Sequence, residues 1–186
     1  MNELPNDLPD ATDATDATDD IPALTLRLAA LLQRDGRLLA TAESCTGGLI
    51  AGACTDLAGS SAWFERGFVT YSNAAKHELL GVDAALIASR GAVSEPVARA
   101  MAEGAIARSR AQVAVAVTSV AGPTGGSADK PVGTVWFGWS LDGAVHTERR
   151  RFDGDRAAVR QATVRHALRT LVLQLEAAPA TSPAPP

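Results

Sequence analysis

The chain is poor in the residues that build disulfide frameworks and metal centres, with two cysteines and three histidines in 186 residues. Cys45 and Cys54 are too few for a disulfide scaffold and lack metal-site spacing. His77, His146 and His166 share no ligand spacing, and no Ser-His-Asp order suggests itself; they are read as surface or capping residues. The reading therefore requires no metal and no organic cofactor. Long hydrophobic runs are also missing, so no segment is expected to span a membrane. The first residues lack the basic and apolar regions of a secretion signal. A reducing cytoplasm is the expected setting.

Strong charge of one sign is missing too, once the ends are set aside. Residues 1–20 repeat Ala-Thr-Asp three times and hold seven acidic residues with no Lys or Arg. Such a segment cannot bury enough apolar surface to order itself, and is expected to be a disordered acidic tail. Residues 177–186 are Ala, Pro, Ser and Thr and read as a second disordered tail. Without the first tail, 14 acidic side chains face 17 basic ones, so the remainder is near +3 rather than −4. That suits a small anionic ligand and is too mild for nucleic acid.

Residues 21–176 are expected to form a single three-layer α/β/α domain with a mixed, mostly parallel sheet. Leu24, Leu28, Leu31 and Leu32 mark one helical face, ended by Gly36. A strand near residues 37–42 leads into a turn, and Leu49, Ala53 and Leu57 mark the next helix, with Cys54 in its buried face. A strand over residues 67–71 precedes a helix from Asn73 to Gly81. Ser94 is a helix N-cap, with Val97, Met101 and Ala105 as the buried stripe. Val113–Val117 is a continuous apolar run, as a central strand covered on both faces requires. Residues 134–141 and 144–152 form a hairpin turning at Asp142-Gly143. Asp155 starts a last helix with Val164, Leu168, Leu171 and Leu175 inward. The basic run Arg149-Arg150-Arg151 reads as a solvated edge.

Chemistry concentrates at Thr41-Ala42-Glu43-Ser44-Cys45-Thr46-Gly47-Gly48. A serine stands there at a strand end, on a sharp turn into a helix, where open α/β sheets bind ligands. Amides around Thr46, Gly47 and Gly48 are candidates for an oxyanion site. Ser44 and Thr46 as helix caps, with the glycines serving close packing, is the alternative. Lys76 falls near the start of the following helix, where the helix dipole and burial would lower its pKa. A neutral amine there can act as the base for a serine; a solvated lysine is the alternative. Tyr71 stands five residues earlier, at the same strand end. The loop Gly122-Pro123-Thr124-Gly125-Gly126-Ser127 follows another strand and offers backbone amides to a phosphate. It lacks the terminal Gly-Lys-Ser/Thr of a P-loop. Cys45, a rival nucleophile, has no obvious histidine partner.

These motifs together resemble the CinA C-terminal-domain family, and within it the stand-alone nicotinamide-nucleotide amidohydrolases. The matching pieces are residues 41–48 and 59–73, Lys76, Leu80-Gly81-Val82, residues 91–95, Ala121-Gly122-Pro123, residues 130–135 and Gly154-Asp155-Arg156. They follow the family's order and span nearly everything between the tails. The resemblance implies hydrolysis of the carboxamide of nicotinamide mononucleotide, a step of pyridine nucleotide recycling. It implies Ser44 as nucleophile and Lys76 as base, with Tyr71 assisting and Thr118 at the rim. Glu43, Cys45, Thr46, Gly47, Gly48, Gly122, Gly125, Gly126 and Arg156 are the expected substrate-binding residues, Arg156 and the glycine-rich loop for the phosphate. It further implies a homo-oligomer, a dimer by expectation, and only the amidohydrolase half of the family's larger members. Thr118-Ser119-Val120 departs from the family pattern by placing a side chain at 119 where glycine is frequent, and Thr124 stands where Asp is common. A non-catalytic nucleotide-binding module of the same fold is the alternative function, and an adaptor acting through the acidic tail is a third.

Overall fold

A computed structural model describes residues 20–178 of the chain; most of both expected tails lies outside the described residues. The elements run α1 (Ile21–Arg34), β1 (Leu39–Glu43), α2 (Leu49–Thr55), β2 (Phe64–Val69), α3 (Asn73–Leu80), α4 (Ala84–Arg90), α5 (Glu95–Ala107), β3 (Val113–Ser119), β4 (Thr134–Leu141), β5 (Ala144–Arg151) and α6 (Arg156–Ala177). Asp20 accepts a hydrogen bond from the Ala23 amide at 2.7 Å and caps α1. α1 begins at Ile21, where the expected N-terminal tail ends, and α6 runs to Ala177, one residue into the expected C-terminal tail.

The five strands form one sheet in the order β2-β1-β3-β4-β5. β1 is parallel to both β2 and β3, and the β4–β5 hairpin closes the sheet with antiparallel pairings. Four strands therefore point one way and β4 opposes them, giving the expected mixed, mostly parallel sheet. Side-chain alternation sorts β3 between two cores. Val113, Val115 and Val117 join α1, α2 and α6 on one face. Ala114 and Ala116 meet α5 residues such as Val97, Met101 and Ala105 on the other. The alanine face lets α5 approach closely: a Cβ on Gly138 would lie 2.6 Å from the Ala98 carbonyl oxygen.

Most expected elements are present, with instructive differences. β2 starts at Phe64 rather than Gly67 and ends at Val69 rather than Tyr71; its early start takes in Glu65, a charge whose side chain is buried against Arg66. β1 starts at Leu39; Arg37 precedes it, nearly buried between Asp35 and Asp142. Helix α4, capped by the Asp83 carboxylate on the Ala85 amide, has no counterpart in the sequence reading. Ser94 occupies the α5 N-cap position, yet its hydroxyl donates to the Gly91 carbonyl instead of capping. His166 is not a surface residue: it packs against Phe137, Trp139 and Phe152 and bonds Glu148 at 2.8 Å. Cys54 is fully buried, as expected. Among the described residues no helix is long and apolar enough to cross a membrane.

Candidate active site

The parallel strands deliver their C-terminal ends to one edge of the sheet, and the chemistry gathers there. β1 hands the chain to Ser44, whose amide donates to the Val117 carbonyl of β3 at 3.1 Å. β2 ends at Val69 and hands the chain to Thr70 and Tyr71, and Ser72 then caps α3 by accepting from the Ala75 amide. One turn into α3, Lys76 points inward rather than to solvent and is 1 % exposed. Its Nζ lies 3.1 Å from Ser44 Oγ, donates to the Thr70 carbonyl at 2.9 Å and lies 3.5 Å from the Tyr71 carbonyl. Burial lowers the Lys76 pKa below the ordinary lysine value, because the ammonium loses its hydration. The Cys45 thiol acts the other way on it, but burial pushes that thiol up, so it carries no charge near neutrality.

Ser44, Lys76, Tyr71 and Thr118 share one cavity of about 220 Å³ with Cys45, Ser119 and Arg156. Arg156, the first residue of α6, stands at its rim. Its guanidinium donates to the Gly122 carbonyl at 3.0 Å and to the Tyr71 hydroxyl oxygen at 2.9 Å. The Tyr71 ring is therefore part of the rim, 60 % exposed, and only its carbonyl approaches the lysine. Thr118 is buried and spends its hydroxyl on the Ala92 carbonyl at 2.9 Å, fixing the α4–α5 connection that forms the opposite wall.

Several expected substrate contacts are not of that kind. Glu43 is fully buried and its carboxylate is occupied by the amides of Gly48, Ile50 and Ala51 and the Thr41 hydroxyl. The Gly48 amide is thereby committed, and the Gly47 amide donates to the Ser44 carbonyl. The Thr46 amide, with that of Cys45, is directed at the Cys45 thiol, and of these two residues Cys45 lines the cavity. The Thr46 carbonyl accepts from Arg160 at 2.8 Å. In the glycine-rich loop, the Gly122 carbonyl accepts from Arg156 and so orients the cation. Gly125 and Gly126 lie away from the cavity; a Cβ on Gly126 would be 2.9 Å from the Val132 nitrogen.

Sequence reasoning missed Thr70, which acts through a backbone carbonyl and so leaves no signature in residue type. It also missed Arg160, for which a signal existed: Arg156 and Arg160 are one turn apart on a single helix face. Among the described residues no group of three His, Cys, Asp or Glu side chains converges to hold a metal ion.

Comparison with known proteins places this geometry in a family. Residues 22–175 match the CinA C-terminal domain. The chain belongs to the CinA C-terminal domain family. A nicotinamide-nucleotide amidohydrolase PncC of Enterobacter agglomerans is 59 % identical over 138 residues, which are 74 % of this chain and 84 % of that protein. The PncC of Escherichia coli K12 is 51 % identical over 153 residues, 82 % of this chain and 93 % of that one. Among solved structures, the competence/damage inducible protein CihA from Agrobacterium tumefaciens superposes with a TM-score of 0.81 at 50 % identity, covering 84 % of this chain and 96 % of that chain. The family match spans the described domain almost end to end, so it includes every residue lining the cavity.

Proposed function

We propose that this CinA-family chain hydrolyses the carboxamide of nicotinamide mononucleotide to nicotinate mononucleotide and ammonia, in pyridine nucleotide recycling. The observation that carries the reading is the buried Ser44–Lys76 contact, on a chain 59 % identical to a nicotinamide-nucleotide amidohydrolase.

A buried neutral amine has two N–H groups and one lone pair. The Thr70 and Tyr71 carbonyls lie where they receive the N–H groups, which leaves the lone pair for the Ser44 hydroxyl. Lys76 takes the serine proton as Ser44 Oγ bonds to the carboxamide carbon. The amides of Cys45 and Thr46 are the donors for the resulting oxyanion, a role worth about 3–4 kcal/mol per donor. The lysine ammonium then gives its proton to the leaving nitrogen as the C–N bond breaks, releasing ammonia. Water, deprotonated by the same amine, attacks the acyl-serine ester; the C–Oγ bond breaks and the ammonium returns its proton to Ser44 Oγ, leaving the carboxylate and the neutral lysine. Arg156 is the cation for the nucleotide phosphate at the rim.

Ammonia release from nicotinamide mononucleotide by the wild type and Ser44→Ala, measured side by side, tests this. Release by the wild type alone supports it. Silence from both, with the nucleotide still raising the melting temperature, replaces it with a nucleotide-binding module.

A further inference from the structure

Glu43 stands beside Ser44 in sequence, yet it is not among the residues lining the cavity. A carboxylate withdrawn from water is tolerated only where its oxygens are bonded. Here Oε2 accepts from the amides of Gly48 and Ile50, both at 3.0 Å, and Oε1 from the Ala51 amide at 2.8 Å and the Thr41 hydroxyl at 3.2 Å. Three of these donors open α2, whose own N-cap residue, Gly48, has no side chain to offer. The cap is supplied instead from the preceding strand.

This bridge closes residues 43–48 into a ring that contains Ser44, Cys45 and Thr46. A shift of the carboxylate therefore moves the serine hydroxyl and both remaining oxyanion donors together. The Glu43 backbone reaches the other half of the pair: its carbonyl accepts from the Thr70 amide at 2.8 Å, and the Thr70 carbonyl accepts from Lys76 Nζ. One residue thus ties both the nucleophile's turn and the lysine's anchor to the end of β1. The carboxylate also meets the positive end of the α2 dipole.

We infer that Glu43 is a positioning residue: its buried carboxylate, bound to the first amides of α2, holds Ser44 and the Cys45 and Thr46 amides in register with Lys76. The inference rests on Ser44 being the nucleophile. Gln at this position keeps the size but turns an NH₂ group toward amide hydrogens. Ala empties the space, which a formate ion can refill.

The test is the rate at which a fluorophosphonate labels Ser44, followed by intact-protein mass spectrometry, alongside thermal melting and steady-state kinetics. Misplacement of about 1 Å costs about 100-fold in rate. Folded Glu43→Gln is expected to label at least about tenfold more slowly and to lose kcat by about 10–100-fold, with KM within about twofold. Formate, and not chloride at equal ionic strength, is expected to speed labelling of Glu43→Ala. Labelling of Glu43→Gln at the wild-type rate overturns the inference, as does a loss confined to KM, which would mean contact with substrate. Should Glu43→Gln not fold, Thr41→Val removes one donor at constant shape; slower labelling supports the inference and an unchanged rate overturns it. Labelling needs no amide substrate. A wild type that labels at Ser44 but releases no ammonia sinks the proposed function, while the variants' labelling rates still decide the role of Glu43.

Discussion

Lys76 Nζ meets Ser44 Oγ at 3.1 Å across 32 residues of chain, and the lysine is withdrawn from solvent to do so. A buried amine opposes folding through its lost hydration, so its replacement by an apolar side chain of similar length relieves that cost. Lys76→Met is therefore expected to keep or raise the melting temperature while lowering kcat by about 100-fold or more, the range of a lost general base. Parallel calorimetry and ammonia release check this. A variant that loses stability and activity together would assign Lys76 to the core alone.

The same burial sets the pH response. Lys76 serves as base only when neutral, so kcat/KM should rise with pH and level off above an apparent pKa lower than the usual lysine value of about 10.4. Stability follows the same direction. Between the depressed folded pKa and the unfolded one, the unfolded chain binds more protons, so the lysine's contribution grows as pH rises through that window and is lost as pH falls through the folded pKa. Kinetics and melting measured across pH should both show the limb in the wild type. Lys76→Met should lack this contribution to the melting curve; its persistence there would point to another group.

Arg156 bonds both the Tyr71 hydroxyl and the Gly122 carbonyl, which holds a cation at the cavity rim. A charge-assisted contact to phosphate is worth about 1.5–3 kcal/mol, so Arg156→Ala should raise KM for nicotinamide mononucleotide by about 10–100-fold. Tyr71→Phe removes one bond to the same guanidinium and should raise KM only a few-fold, about 0.5–1.5 kcal/mol. Nicotinamide riboside, which lacks the phosphate, separates charge recognition from rim architecture. Equal penalties on nucleotide and riboside would deny Arg156 the phosphate.

Residue type and spacing made the turn after β1 and the continuous apolar run of β3 legible in the sequence, because each depends on local chemistry; the pairing of Lys76 with Ser44 was legible only through the family resemblance. What escaped depends on backbone atoms brought together by the sheet. Glu43 reads as a polar residue beside a nucleophile, and only the fold shows that the α2 amides consume its oxygens. The glycines of the loop after β3 read as a phosphate cradle, and the fold turns the Gly122 carbonyl outward to Arg156. β2 was misplaced for a related reason: Glu65 is sheltered by arginines distant or adjacent in sequence, Arg110 and Arg66. Hydrophobic alternation cannot register a charge that its neighbours neutralise.

Gly104 links the core to the site. A Cβ added there would sit 2.2 Å from the Leu80 carbonyl oxygen and 2.9 Å from Leu80 Cβ, so α5 and α3 could not keep their spacing. Overpacking of this kind costs about 1–3 kcal/mol, which corresponds to a drop of about 2–12 °C in melting temperature for a chain of this size. Leu80 ends α3 one turn beyond Lys76, so the displaced helix carries the base away from Ser44. Gly104→Ala is therefore expected to lose kcat as well as stability, with KM little changed, since it touches none of the cavity wall. Melting and steady-state kinetics on the one variant test both. A lower melting temperature with unchanged kcat would show that α3 yields at its C-terminus without moving the lysine.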